Sequence, residues 1–241
     1  IGLTIVAFGT SAPEAAISIS AGLKGVTGIS IGNVLGSNII NILLILGITA
    51  CIVPLKVEKN TIWREIPFTI GITVLLVVMG AIFGEVGFFT GCIFWILFIG
   101  FLVYLFRMAM KNQEEVVECP HKRQPVWVLA LVTVIGLAAI ILGSNMTVDS
   151  ASNIASRLGM SDRLIGLTIV ALGTSLPEAS VSITAGLMGS NEIAISNIVG
   201  SNVFNTLVVV GTSAVITPFL MDKDILNRDL KLNILVSILL S

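Results

Sequence analysis

Residues 1–15 read IGLTIVAFGTSAPEA, and residues 165–179 read IGLTIVALGTSLPEA. The likeness continues without a gap from 1–55 to 165–219, where 31 of 55 positions are identical at a constant offset of 164. Hydrophobic composition alone would not keep glycine, threonine, serine, proline, glutamate and asparagine in register. The sequence therefore predicts an internal duplication.

The composition around the repeat is that of a membrane protein. The 241 residues are 55% hydrophobic and 11% charged, with a mean hydropathy of +1.04. Soluble domains carry about 25% charged residues, so a soluble enzyme and a disordered chain are excluded. A net charge of −1 excludes the basic field of a nucleic-acid-binding protein. We expect an all-α polytopic membrane protein whose surroundings are the lipid bilayer.

Apolar runs between polar breaks predict about eight membrane-spanning helices, since a helix needs about 20 apolar residues to cross the hydrocarbon core. The predicted spans are 1–23, 30–52, 66–83, 88–110, 126–157, 164–188, 193–217 and 229–241. The second copy begins five spans after the first, so equivalent helices should cross the membrane in opposite directions. Such an inverted-topology repeat is typical of secondary transporters.

The repeat also predicts the domain organisation. Residues 1–110 should form the first inverted repeat, residues 111–125 a polar linker, and residues 126–241 the second repeat. The span 126–157 precedes the second copy, so an equivalent helix is expected before the first copy. The counterparts of the third and fourth spans should likewise extend beyond residue 241. We therefore expect five plus five helices in a parent protein, with the first, the last and part of the one before it missing here.

Each copy carries a glutamate inside an apolar span, Glu14 in the first and Glu178 in the second. A carboxylate at bilayer depth costs about 2.5–3.5 kcal/mol on insertion scales, so it normally faces a partner or a cavity. Pro13 lacks an N–H and its ring clashes with the carbonyl of Gly9, so the helix should break at this GTSAPE motif and at its GTSLPE counterpart. The carbonyls near residues 7–10 are then expected to be unpaired around a cavity.

Hydroxyl and amide side chains accompany the two glutamates. Thr10 and Ser11 lie four and three residues before Glu14, hence on one helix face, and the second copy repeats them as Thr174 and Ser175. The next span carries a polar stripe at four-residue spacing, which consists of Asn33, Ser37 and Asn41 in the first copy and Asn197, Ser201 and Asn205 in the second.

These side chains form a candidate cation site made of oxygen ligands alone. Hard cations prefer such ligands, and Ca²⁺ takes 6–8 of them. Neither motif contains His or Cys, which argues against Zn²⁺ or Cu²⁺. Helix–helix contact is the alternative role for the polar stripes. We expect that role, or the support of ligands, for Asn33, Asn38, Asn197 and Asn202.

The paired GTSAPE and GTSLPE motifs, each followed by a GSN-x-x-N segment, resemble the alpha repeats of the calcium/cation antiporter superfamily. The resemblance is closest to the prokaryotic sodium/calcium exchangers and covers about 110 of the 241 residues. It implies a ten-helix antiporter that exchanges Ca²⁺ for Na⁺ by alternating access, without a cofactor and without enzymatic activity. It further implies a monomer in a prokaryotic inner membrane, with a cytosolic linker between the repeats.

The resemblance also implies a role for each matching residue. Glu14 and Glu178 would be the shared Ca²⁺ and Na⁺ ligands. The residues implied around them are Thr10, Ser11, Thr174 and Ser175 as flanking ligands, the carbonyls of Ala7 and Ala171 at outer Na⁺ positions, Ser37 and Ser201 at the Na⁺ sites, and Asn41 and Asn205 at the centre. Some relatives carry Asp where Asn205 stands, which leaves the stoichiometry and any K⁺ co-transport open.

Three other functions compete with Na⁺-driven exchange. Proton-coupled calcium exchangers usually carry a GN-x-x-E motif, which makes protons the alternative driving ion. A cation channel also uses acidic rings, but builds them from repeated subunits. An intramembrane enzyme could use the paired carboxylates as acid and base, yet no nucleophile–His pair accompanies them.

Overall fold

The computed structural model describes residues 2–25, 27–111, 125–221 and 225–239, and helices make up nearly all of them. The first half begins with a broken helix and continues through three longer helices. Its elements are α1 (Gly2–Thr10), α2 (Ala12–Leu23), α3 (Thr27–Ile40), a π-helical segment (Asn41–Leu46), α4 (Gly47–Ile52), a second π-helical segment (Thr61–Glu65), α5 (Ile66–Phe83), strand β1 (Glu85–Val86) and α6 (Phe88–Lys111).

The second half repeats this order after a long helix. Its elements are α7 (Val126–Arg157), α8 (Asp162–Ile165), a π-helical segment (Gly166–Val170), α9 (Ala171–Thr174), α10 (Leu176–Leu187), α11 (Asn191–Phe204), a π-helical segment (Asn205–Val209), α12 (Val210–Ile216), strand β2 (Phe219–Leu220), a π-helical segment (Ile225–Asp229) and α13 (Leu230–Leu239). The bounds of α2 and α10 agree at the sequence offset of 164, as do those of α3 and α11.

The prediction of an all-α polytopic membrane protein is confirmed. Four helices in the described ranges are long and apolar enough to cross a membrane, namely Thr27–Ile52, Thr61–Phe83, Phe88–Met108 and Asn191–Ile216. The pair Gly166–Thr174 and Leu176–Leu187, bent by 49°, adds a fifth span if it crosses as one. The inverted orientation of the copies, the five-plus-five count and the domain bounds stay predictions, and residues 112–124 of the linker lie outside the described residues.

The predicted breaks lie at both motifs, but they are narrower than expected. Helix α1 continues through Gly9 to Thr10, so the chain leaves helical geometry at Ser11 alone, with φ −83° and ψ 5°. Pro13 occupies the first turn of α2, and Pro177 occupies the same place in α10. A proline in the first turn costs nothing there, because that N–H has no intrahelical acceptor.

The prediction of unpaired carbonyls before the break is wrong for Ala7. Its carbonyl oxygen accepts the backbone N–H of Ser11 at 3.2 Å, and the hydroxyl oxygens of Thr10 and Ser11 lie 3.0 Å from it. In the second copy, the carbonyl of Ala171 likewise accepts hydrogen bonds from the residues that follow it. The backbone N–H groups of Ser11 and Ser175 therefore satisfy these carbonyls where each helix bends.

The two halves interlock through their broken helices. Helix α1 packs against α11, and the equivalent segment of the second half, Gly166–Val170 with α9, packs against α3. The largest hydrophobic cluster contains Leu35, Phe94, Leu207 and Leu230, which come from both halves. Strands β1 and β2 pair antiparallel and join the halves a second time. This exchange of partners brings the two glutamate motifs to one buried region.

Candidate ion-binding site

Glu14 and Glu178 occupy equivalent, fully buried places in the two halves. Each is the third residue of its helix, Glu14 in α2 and Glu178 in α10, and each has 0% of its surface exposed. The first turn of a helix presents its unpaired N–H groups and the positive end of the helix dipole, which favours a carboxylate. The break before each helix thus creates the local environment in which a buried glutamate is tolerated.

The serines of the two motifs cross over between the halves. Ser11 Oγ donates to Oε1 of Glu178 at 2.9 Å, and Ser175 Oγ donates to Oε1 of Glu14 at 3.3 Å. Ser201 Oγ also donates to Glu178 Oε1, at 3.1 Å. The sequence predicted that Ser11 lies on the same helix face as Glu14. In the structure its hydroxyl instead donates to Glu178, the glutamate of the other copy.

The threonines of the motifs also reach across to the opposite half. Thr10 Oγ1 donates to Oδ1 of Asn197 at 3.3 Å, and Thr174 Oγ1 donates to Oδ1 of Asn33 at 3.0 Å. Ser37 Oγ lies 3.3 Å from Thr174 Oγ1 within the same network. These hydrogen bonds connect each broken helix to the polar stripe of the other repeat.

Asn33 and Asn197 brace the backbone of the helices that carry the glutamates. The Nδ2 group of Asn33 donates to Ser18 Oγ at 2.8 Å and to the carbonyl of Glu14 at 3.4 Å. Asn197 makes the equivalent bonds to Ser182 at 3.0 Å and to the carbonyl of its own copy's glutamate at 3.3 Å. Sequence reasoning missed Ser18 and Ser182, although both stand in register in the two copies, four residues after each glutamate.

A third group of contacts joins the two polar stripes to each other. Asn41 Nδ2 donates to Ser201 Oγ at 3.2 Å and to Oδ1 of Asn202 at 2.9 Å. Asn205 Nδ2 donates to Oδ1 of Asn38 at 3.3 Å, and Asn38 Nδ2 donates to Thr206 Oγ1 at 3.1 Å. The repeat carried no signal for Thr206, because its counterpart in the first copy is Ile42.

Four buried oxygen atoms in this region have no hydrogen-bond donor among the residues described. They are Oε2 of Glu14, Oε2 of Glu178, Oδ1 of Asn41 and Oδ1 of Asn205. Buried polar atoms are normally paired, and a buried carboxylate without a compensating charge is costly. None of the Lys and Arg side chains whose exposure is described is buried, so none of those side chains neutralises the carboxylates here.

The structure therefore brings all of the predicted site residues together in one buried region. Those most directly joined are Glu14, Glu178, Ser11, Ser175, Ser37, Ser201, Asn41, Asn205, Thr10 and Thr174, with Ala7 and Ala171 1% and 0% exposed at the two breaks. Their combined charge, with both carboxylates ionised, is −2. A site of this kind can bind one divalent cation or two monovalent cations through oxygen ligands.

Two further buried acids, Glu65 and Asp229, lie outside this region. Glu65, at the start of the span that contains α5, is 6% exposed and accepts a hydrogen bond from Thr61 at 3.2 Å. Sequence reasoning did not single out Glu65, because it and its counterpart at the offset of 164, Asp229, lie outside the matched stretches 1–55 and 165–219. Glu65 offers a natural control for the two site glutamates.

Comparison with known proteins matches the sodium/calcium exchanger protein family over residues 1–107 and 128–241. The putative antiporter CaxA of Alkalimonas amylolytica is 41% identical, over 95% of this chain and 73% of its own length. The inner membrane protein YrbG of Escherichia coli (strain K12) is 38% identical, over 99% of this chain and 76% of its own length.

A solved structure shares the fold over nearly the whole chain. It is the sodium-calcium exchanger NCX_Mj soaked with 10 mM Na⁺ and zero Ca²⁺, with a TM-score of 0.78 and 34% sequence identity. The match covers 99% of this chain and 77% of that one. The likeness thus includes both broken helices and the polar stripes that pack against them.

Proposed function

Because the chain belongs to the sodium/calcium exchanger family, we propose that it exchanges Ca²⁺ for Na⁺ across the membrane by alternating access. Glu14 and Glu178 bind both ions, and the hydroxyls and amides around them complete the site. The membrane location agrees with the apolar helices and with the inner membrane relative.

The observation that carries the proposal is the set of four buried oxygens without donors. Two belong to the carboxylates of Glu14 and Glu178, and two belong to the amides of Asn41 and Asn205. Carboxylate and amide oxygens are the ligands that Ca²⁺ and Na⁺ accept, whereas they suit neither an anion nor an apolar ligand. A bound cation would compensate the two buried charges that no described Lys or Arg neutralises.

The charge of the site explains why binding of the two ions should exclude each other. One Ca²⁺ or two Na⁺ would neutralise the two carboxylates, so the same oxygens serve either cargo. A site left with a charge of −2 is costly to move through the apolar interior of the membrane. Only the loaded site should therefore reorient, which couples the exit of one ion to the entry of the other.

The long helix α7 is suited to cover and uncover the site. It contacts α9 and α10, which carry Thr174 and Glu178, and it also contacts α2, which carries Glu14. Side chains on its described outer positions, such as Leu131, Val134 and Leu142, are exposed and apolar, as expected for a helix that faces lipid. A sliding motion of α7 across the broken helices would switch access from one side to the other.

The experiment that tests the proposal measures Ca²⁺ uptake into proteoliposomes that contain the protein. One series has an outward Na⁺ gradient and the other an outward proton gradient. Uptake driven by Na⁺ is the expected result. Uptake driven by protons alone would establish the proton-coupled alternative, and unitary currents in a planar bilayer would establish a channel.

Isosteric variants then test the two glutamates. Glu14→Gln and Glu178→Gln each remove one charge without changing the size of the side chain, and we expect each to abolish exchange. Glu65→Gln is the matched control, since it neutralises a buried glutamate in the same molecule but outside the site. Exchange that survives Glu14→Gln, or that is lost equally in Glu65→Gln, would contradict the assignment.

A further inference from the structure

We propose that Asn202 and Asn38 are positioning residues, which orient the amides of Asn41 and Asn205 so that each amide presents its oxygen to the bound cation. The inference rests on the proposed function, because it concerns the same site. It assigns a task to two side chains that touch no ion themselves.

The need for positioning follows from the chemistry of asparagine. The two oxygens of an aspartate are equivalent, so either can face a cation. An asparagine has one acceptor oxygen and one NH₂ group that can only donate, and the NH₂ group repels a cation. The centre of this site contains Asn41 and Asn205, so each amide must be held in one of its two orientations.

For Asn41 the orientation is set by a chain of three groups that begins at the backbone. The carbonyl oxygen of Asn38 can only accept, and it receives Nδ2 of Asn202 at 3.3 Å. This bond turns Oδ1 of Asn202 toward Asn41, whose Nδ2 donates to it at 2.9 Å. The second hydrogen of that Nδ2 faces Ser201 Oγ at 3.2 Å. The oxygen of Asn41 is consequently left buried, with no donor from the described part of the chain.

For Asn205 the same result is reached through a different anchor. Thr206 Oγ1 receives Nδ2 of Asn38 at 3.1 Å, and Oδ1 of Asn38 receives Nδ2 of Asn205 at 3.3 Å. The oxygen of Asn205 is then also buried without a donor in the described ranges. The counterpart of Thr206 in the first copy is Ile42, which has no hydroxyl. The amide of Asn38 is therefore bonded to a hydroxyl, whereas the amide of Asn202 is bonded to a backbone carbonyl.

The competing explanation is that these asparagines only hold α3 and α11 together. Asparagines that served packing alone should have both ends of the amide paired, because an unpaired buried oxygen costs free energy. Here the donor end of each of the two central amides is used, while the acceptor end of both is left open. That shared polarity is what a cation requires and what helix packing does not.

The test is a double-mutant cycle on Ca²⁺ affinity, measured by isothermal titration calorimetry on the purified protein in detergent. In the wild-type background, we expect Asn202→Ala to weaken Ca²⁺ binding about tenfold, which corresponds to the loss of one orienting hydrogen bond. In the Asn41→Asp background, we expect Asn202→Ala to weaken Ca²⁺ binding less than about twofold or to strengthen it, because either oxygen of a carboxylate can face the cation. Equal losses in the two backgrounds would overturn the proposal.

A second double-mutant cycle, on Asn205, keeps the proposal testable if Asn202→Ala folds poorly. Thr206→Val removes the hydroxyl that anchors Asn38 and keeps the size of the side chain nearly unchanged. We expect it to weaken Ca²⁺ binding in the wild type and to have little effect in the Asn205→Asp background. Additive losses here would likewise count against positioning.

The matched control is Asn233→Ala. Asn233 is 1% exposed and its Nδ2 donates to the backbone carbonyl of Leu35 on α3 at 3.2 Å, outside the site. We expect this variant to lower thermal stability and to leave Ca²⁺ affinity unchanged. A loss of affinity as large as that of Asn202→Ala would show a merely structural effect.

The outcomes also separate this inference from the proposed function. A wild-type protein that binds neither Ca²⁺ nor Na⁺ would remove the proposed function and the positioning role together. A wild-type protein that binds and exchanges the ions, but whose Asn202 and Asn41 variants lose affinity additively, would remove the positioning role alone.

Discussion

The close packing of the two repeats predicts that an added methyl group destabilises the protein at Gly36 but has little effect at Gly200, the equivalent glycine of the other copy. A Cβ added at Gly36 would lie 2.4 Å from the carbonyl oxygen of Leu167 and 2.6 Å from Cβ of Ala171. A Cβ added at Gly200, the equivalent position, would lie 3.1 Å from Cβ of Ala7. Gly36→Ala and Gly200→Ala are therefore the same change at equivalent helix positions with different clearance.

The expected cost follows from these distances. To reach ordinary contact at 3.4 Å, α3 must move away from the Leu167 carbonyl by about 1 Å when Gly36 becomes alanine. When Gly200 becomes alanine, the packed helices must separate by only a few tenths of an ångström. Overpacking of this kind costs about 1–3 kcal/mol. The same movement breaks the 3.3 Å contact between Ser37 and Thr174, worth about 1 kcal/mol. Alanine regains about 1 kcal/mol of helix propensity in both variants.

We therefore expect Gly36→Ala to lower the free energy of unfolding by about 1–3 kcal/mol and Gly200→Ala to change it by less than about 1 kcal/mol. Thermal unfolding in detergent, followed by tryptophan fluorescence, should show a drop of about 2–10 °C for Gly36→Ala. Ca²⁺ uptake under a Na⁺ gradient should fall about tenfold in Gly36→Ala, since Ser37 is displaced from the site. Equal melting temperatures and equal uptake in the two variants would refute the reasoning.

Two further predictions concern the serines of the motifs and the contact between α6 and α12. Ser175→Ala should weaken Ca²⁺ binding about tenfold by titration calorimetry, because the glutamate of the first copy loses its serine donor. Ser11→Ala should weaken it only about threefold, because Ser201 still donates to the same oxygen; a larger loss for Ser11→Ala would contradict the assigned partners. Gly91→Ala places Cβ 2.5 Å from the carbonyl of Gly211 and should lower the melting temperature by several degrees with unchanged Ca²⁺ affinity, so an affinity loss would show that this contact reaches the site.

Much of the site could be predicted from the sequence because its residues repeat in register within an apolar background. Glu14 and Glu178 stand out as charges in hydrophobic spans, and the duplication distinguishes them from chance polar residues. Ser18 and Ser182 carried the same signal but did not stand out, since a serine in a membrane helix costs little by itself. Thr206 could not be found this way, because its counterpart in the first copy is Ile42. Glu65 lies outside the matched stretches 1–55 and 165–219, although Asp229 stands at the same offset of 164.

The local geometry of the breaks was predicted less well. Pro13 indicated a break, and the helix does end beside it, but the expected unpaired carbonyl at Ala7 is paired. The reason is that helical geometry continues through Thr10, so the backbone N–H of Ser11 still reaches the carbonyl of Ala7 at 3.2 Å.

The sequence by itself determined that the chain is an all-α membrane protein, that two copies of one motif carry the polar residues, and that each copy breaks a helix before a glutamate. Composition, apolar run length and proline chemistry act within a few residues of one another, so they can be read directly. Only the tertiary structure decided which side chains meet. Ser11 bonds to Glu178 rather than to Glu14, Asn202 holds the amide of Asn41, and Gly36 has less clearance than Gly200. The two hydrogen bonds join residues that are more than 160 positions apart in the sequence. They form because the helices of one half pack against the broken helix of the other, and no spacing along the chain predicts that packing.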